Sequence, residues 1–220
     1  MSKFYIPTSG PQSWQALLVD PAKQWKPGYS ARTLAHCWET AQGLPPEIAS
    51  LFGLDTELLI AIPEHKVSLR DAGRDSQTDV FALVKSKDRT IAVAVEGKVN
   101  ESFGPTIKDW YTDSSPGKQQ RLAFLCDLIG VSHPPPDHLH YQLFHRTASA
   151  ILEAERFKTD NAAMIVHSFS AENNWFEAYA AFLGLFGLTA ELGQLVRRGL
   201  PDGRDLYFGW AKGDPQFLLA

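Results

Sequence analysis

Residues 77–104, QTDVFALVKSKDRTIAVAVEGKVNESFG, constrain the fold more than any other stretch of this chain. They read as two strands, 79–84 and 90–98, joined by a polar turn at 85–89. Strand side chains alternate between faces, so Ile91, Val93 and Val95 share one side, and Ala92, Ala94, Glu96 and Lys98 share the other. The bulky side can fill a core. The small side ends in a carboxylate and an ammonium. Charge at the end of an apolar strand is costly to desolvate, and it calls for a partner, a metal or a substrate.

Around this hairpin the punctuation predicts a mixed architecture. A serine start and a glycine stop predict a helix over 30–43, and Pro45-Pro46 opens another over 46–52. A strand is expected over 57–62, bounded by Pro63, with polar loop from Glu64 to Ser76. Helical spacing recurs over 118–129, closed by Gly130, and over 139–157. A buried strand over 162–170 follows, then helices over 174–188 and 190–198, and a closing strand over 205–212. A short helix over 13–18 sits in an irregular N-terminal wrap. A mixed sheet flanked by helices is the natural packing for this α/β order.

With 220 residues, 44% hydrophobic and 21% charged, the chain can bury one sizeable core in a single domain over 1–220. The net charge of −4 leaves any nucleic-acid contact to local basic patches. Cys37 and Cys126 stand far apart with no C-x-x-C, which excludes a zinc knuckle or a disulfide framework and predicts buried free thiols. The N-terminal stretch lacks an apolar h-region, and the longest apolar run, 178–188, is too short to span a bilayer. A soluble cytoplasmic protein with no membrane partner is expected. No G-x-S-x-G, Walker A or G-x-G-x-x-G occurs, which removes the common serine-hydrolase and nucleotide-loop chemistries.

Asp79 at the start of one strand and Glu96-Gly97-Lys98 at the end of the next, 17 positions on (96 − 79), resemble the motif of the PD-(D/E)xK nuclease superfamily. Thr78 stands where that motif usually carries proline. The resemblance implies a restriction-endonuclease-like fold with an αβββαβ core, covering roughly residues 30–170. It implies hydrolysis of phosphodiester bonds in nucleic acid, DNA rather than RNA, with Mg²⁺ or Mn²⁺ as cofactor, and it is compatible with a homodimer. Hard cations of this kind take carboxylate oxygens, here Asp79 and Glu96, with the Gly97 carbonyl as a third ligand. Lys98 would orient the attacking water or neutralise transition-state charge. The superfamily often adds an acid from the preceding helix, for which Glu39 is the choice over Glu47. Gln142, His145 and Arg146 on the long helix would face the phosphate, with Arg74 and Gln77, and also Arg70, Lys118 and Arg121, as further phosphate contacts.

Structural alternatives accompany each reading. Glu96 or Asp79 can simply pair with Lys98, and the other polar residues can be solvated surface. Zinc on His133, His138, His140 and Asp137 is a minor alternative. The competing function is a catalytically inactive nuclease-like fold that serves as a binding or assembly module. The site is expected at a sheet edge open to solvent, and Glu96→Gln or Lys98→Ala is expected to leave the protein folded.

Overall fold

The computed structural model describes residues 8–53, 55–70, 73–113 and 115–220. In chain order these form a 3-10 turn at Pro11–Leu17, α1 (Pro21–Gln24), α2 (Ser30–Ala41) and α3 (Pro46–Phe52). Strands β1 (Thr56–Val67), β2 (Ser76–Ser86) and β3 (Arg89–Lys98) follow, then helices α4 (Ile107–Trp110), α5 (Pro116–Ile129) and α6 (Tyr141–Phe157). The chain continues through β4 (Asn161–Ser168), α7 (Phe176–Gly184), β5 (Leu195–Gly199) and β6 (Asp205–Lys212) to a 3-10 turn at Pro215–Leu219. Among the described residues no helix is long and apolar enough to cross a membrane.

The strands make one mixed sheet in the order β1-β2-β3-β4-β6-β5. β1, β2 and β3 run as an antiparallel meander, β4 lies parallel to β3, β6 parallel to β4, and β5 closes the far edge antiparallel to β6. The alternation read from β3 sorts its two faces as expected. Ile91, Val93 and Val95 join Leu34, Trp38, Ile48 and Trp14 in the core beneath α2 and α3. Ala92 and Ala94 join Phe144, Ala148 and Ile151 in the core beneath α5, α6 and α7. Small residues on both sides of that second contact let α6 lie close on β3 and β4. Three layers result, with α6 positioned over the carboxyl end of β3.

Several local expectations are revised. The hairpin between β2 and β3 closes on Lys87 and Asp88 alone, because Ser86 still pairs with Arg89 and Lys87 takes a left-handed φ of 54°. Ser30 is the first helical residue of α2 and not its cap. Its N–H donates to Glu101 Oε1 at 2.7 Å, so a side chain from beyond β3 satisfies the helix start. Residues 190–198 do not form a helix. Gly193, at φ 71°, breaks the segment, and β5 pairs with β6, where Leu195 covers Gly209 so closely that an added Cβ would meet its Cδ2 at 2.8 Å. β1 also runs past Pro63 to Val67. Because β1 is an edge strand, the missing proline N–H costs no ladder bond.

The close approach of α6 to the sheet has a measurable consequence. Ala94→Leu adds volume where none is free, and it is expected to destabilise the protein by about 1–3 kcal/mol in urea unfolding.

Candidate functional site

Four strand-end features converge at one place. The β2–β3 ladder has its last rung at Val80–Val95, so the next residues, Asp79 and Glu96, face each other where the two strands part. Asp79 Oδ2 fills the opening by accepting the Gly97 N–H at 2.7 Å. Glycine suits that position, since a Cβ on residue 97 would stand 3.3 Å from both Asp79 Oδ2 and Leu34 Cδ2. On the other side of β2, Pro63 pairs with Val80 and His65 with Thr78, so Glu64 lies between them, opposite Asp79. Glu64 has a left-handed φ of 52°, a conformation that costs a non-glycine residue roughly 1–2 kcal/mol. The row Glu64–Asp79–Glu96 therefore crosses three neighbouring strands, and all three acids line one cleft of about 440 Å³.

Helix α6 supplies the facing wall. Lys98 Nζ donates to Glu96 Oε1 at 2.6 Å and to Gln142 Oε1 at 3.2 Å. Gln142 Nε2 donates to Glu96 Oε1 at 2.8 Å, and Arg146 Nε donates to Glu96 Oε2 at 2.5 Å. Arg146 also donates to Ser76 Oγ at 3.0 Å. Arg146 Nη1 also lies 3.3 Å from His145 Nδ1 and can only donate, so Nδ1 is an acceptor and the Ser76 hydroxyl, 2.8 Å away, donates to it. Lys98 further sits 4.9 Å from the Phe103 ring centroid. Glu96, Lys98 and Arg146 are only 3, 4 and 7% exposed, so the site is a deep floor between central strands and not the open sheet edge expected from the sequence.

The electrostatics divide the row. Burial opposes charge on Glu96, but Arg146 and Lys98 outweigh it and hold the carboxyl below its ordinary value. Burial and then the charge of Glu96 push Asp79 up to about 7. Burial and then Asp79 push Glu64 up to about 8, although Gln77 Nε2 donates to its Oε2 at 2.8 Å. Glu96 is thus matched by two cations, while no cation bonds Glu64 or Asp79 among the described residues and the site favours their protonated forms up to about pH 7 to 8. Their oxygens are the hard donors that a divalent cation takes. Burial, with Arg146, Arg121 and Lys98 nearby, lowers the His145 pKa well below the usual imidazole range and keeps its ring neutral.

The other predicted residues distribute as follows. Gln142, Arg146 and Gln77 line the acid cleft. His145 and Arg74 line an adjoining concavity that shares Gln77, Gln142 and Arg146 with it. Arg121 lines this second concavity too and donates to the Arg74 carbonyl. Lys118 instead donates to the Trp110 carbonyl and pairs with Asp113, and Arg70 pairs with Glu155. Glu39 does not reach the acid cleft. It lies one position past the sheet-facing Trp38, turns toward the 3-10 turn, and accepts the Trp14 indole N–H at 2.7 Å. Glu64 supplies the additional acid, from β1 instead of α2. It escapes a sequence reading that stops the strand at Pro63. The period-two pattern carried through Ile62 and Glu64 was the available signal.

A second group that could hold a metal is Cys37, Glu47 and His167, whose donor atoms lie within 4.8 Å of one another. Its protons argue against that use. The Trp38 indole can only donate, so at 3.3 Å it makes His167 Nδ1 an acceptor. The ring proton then sits on Nε2 and is donated to Glu47 Oε1 at 2.7 Å, where a cation would have to bind. Burial and the charge of Glu47 push the Cys37 thiol up, away from the thiolate a metal needs. The trio pins α2 and α3 to β4. The minor alternative, a metal on His133, His138 and His140 with Asp137, is not formed as a cluster, and His140 Nδ1–H donates to the Gly104 carbonyl at 2.7 Å. Both cysteines are buried and free.

Two outcomes follow. Glu96→Gln leaves Lys98 and Arg146 buried without their anion, so it is expected to cost roughly 3–5 kcal/mol in chemical unfolding, against the sequence expectation of an undisturbed fold. Glu64 and Asp79 bind protons more tightly folded than unfolded, so their contribution to stability is complete at low pH and is lost as pH rises through about 7 to 8. The Tm of Glu64→Gln relative to wild type, without metal, is therefore expected to rise between about pH 5 and pH 9.

No curated protein and no solved structure matches the chain. A family model described as a domain of unknown function, DUF6946, matches residues 7–215, and the chain belongs to that family.

Proposed function

We propose that this protein is a metal-dependent phosphodiesterase acting on nucleic acid through a PD-(D/E)xK-type site. The observation that carries this reading is the row Glu64–Asp79–Glu96 ending beside Lys98 in one cleft. We read the fold as restriction-endonuclease-like. The succession α2, β1–β3, α6, β4 supports this, because it repeats the αβββαβ order, with β6 and β5 extending the sheet beyond it.

Asp79 and Glu64 would hold Mg²⁺ or Mn²⁺, with Glu96 and the Gly97 carbonyl adjoining. Bound there, the cation supplies a polarised water and neutralises charge on a phosphate oxygen. Lys98 is fixed by Glu96 and Gln142, so its remaining N–H is aimed without loss of side-chain freedom during reaction, as electrostatic stabilisation requires. Arg146 is a positioning residue that holds Glu96 against the strand end.

One observation favours the competing reading of a non-catalytic binding module. Both Glu96 oxygens already accept hydrogen bonds, from Lys98, Gln142 and Arg146. The two readings separate on metal binding and turnover. With Mg²⁺ or Mn²⁺ the protein is expected to cleave nucleic acid, and Ca²⁺ to bind without supporting turnover. Lys98→Ala is expected to lose cleavage and keep the cation, and Asp79→Asn to lose both. Calorimetry should find Mn²⁺ affinity at least roughly ten-fold weaker at pH 6 than at pH 8.5, because protons compete for Asp79 and Glu64. Absence of metal binding, with wild type and Lys98→Ala alike on every substrate, would leave the binding module.

A further inference from the structure

The acid cleft adjoins the second concavity, of about 760 Å³, and Val19, Gln77, Gln142 and Arg146 line both. Their charge balances differ. The first is lined by four acids, Glu64, Asp79, Glu96 and Glu101, against Lys23, Lys98 and Arg146. The second carries Lys66, Arg74 and Arg121 against a single acid, Asp75, and adds the rings of Trp110 and Tyr141, stacked at 3.9 Å between centroids. In a chain of net charge −4, this is a local reversal of sign beside the deepest carboxylates of the sheet. Each concavity falls within the range of roughly 300–1,000 Å³ that takes one small-ligand unit.

The floor lies deep, with Glu96, Lys98 and Arg146 all buried. α6 walls one side, through Gln142 and Arg146, and the N-terminal segment with Val19, Lys23 and Tyr29 lines the rest. A duplex presents its phosphates on a rigid rod, which cannot bend into a walled cleft. A single strand is flexible enough to be drawn in by one phosphate.

Resting on the phosphodiesterase reading, we infer that the substrate is a single nucleic-acid strand. One phosphate meets the acid row. The adjoining nucleotide occupies the basic concavity, its phosphate against Lys66 and Arg74. Gln142 and Arg146, shared by the two concavities, set the spacing between these subsites.

The test is fluorescence anisotropy in Ca²⁺ with a short fluorescein-labelled single-stranded oligodeoxynucleotide and a blunt hairpin duplex of the same sequence, over a range of salt. The single strand is expected to bind at least roughly ten-fold tighter than the duplex. Lys66→Ala and Arg74→Ala, both at exposed positions, should each weaken single-strand binding several-fold and flatten its salt dependence by roughly 0.7 in log–log slope. Equal binding of the two probes, no binding of either, or unchanged affinity and slope in both variants overturns the inference. Mg²⁺-dependent cleavage of duplex without preference for single strand also overturns it, yet leaves the phosphodiesterase standing. Tight single-strand binding that depends on Lys66 and Arg74, without cleavage under any divalent cation, supports the strand site and removes the phosphodiesterase instead.

Discussion

The carboxylate of Glu96, held between Lys98 and Arg146 at the end of a central strand, is the interaction on which the site depends. An isolated charge at that depth would cost several kcal/mol. Two cations and an amide meet it with short, well-directed bonds, and those bonds fix the rest. They set the turn of α6 that faces the sheet and lock the Lys98 side chain. Through Ser76 they also orient the neutral ring of His145. Replacing such a buried network with apolar residues is often neutral or stabilising in proteins. Such a network fixes the positions of its members more than it adds stability.

Asp79 and Glu64 have the opposite character. Among the described residues no cation bonds them directly, and they face each other across β1 and β2 with Glu96 one strand further on. Backbone strain at Glu64 brings the outer member of the row into the cleft. The row is thus divided between a compensated carboxylate that builds the scaffold and two without a bonded cation, which hold their protons up to about pH 7 to 8. The adjoining concavity is more basic, with Lys66, Arg74 and Arg121 in its lining.

Much of this was legible in the sequence because it rests on local periodicity. The alternation along 90–98 assigns the faces of β3, and the four-residue spacing of Gln142 and Arg146 puts both on the face of α6 that meets Glu96. What escaped is non-local. Glu64 is visible only if a strand is allowed to run through a proline, which requires knowing that β1 is an edge. Glu39 falls in the last turn of α2, and a single step past Trp38 turns it toward Trp14 instead of the sheet. β5 was misread because its apolar residues have helical spacing; Gly193 is the local break, and pairing with β6 decides the outcome. The depth of the floor depends on α6 and the N-terminal segment closing over it, which no local pattern encodes.

The central claim is that Asp79 and Glu64 form a cation site beside the Glu96 network. Anomalous diffraction from crystals soaked in Mn²⁺ near pH 8 tests it most directly. The account requires one strong anomalous peak in the cleft, within about 2.0–2.6 Å of carboxylate oxygens of Asp79 and of Glu64 or Glu96. Lys98 and Arg146 should remain on the α6 side. A cleft without anomalous density at saturating Mn²⁺, or a peak only at Cys37, Glu47 and His167, would contradict it.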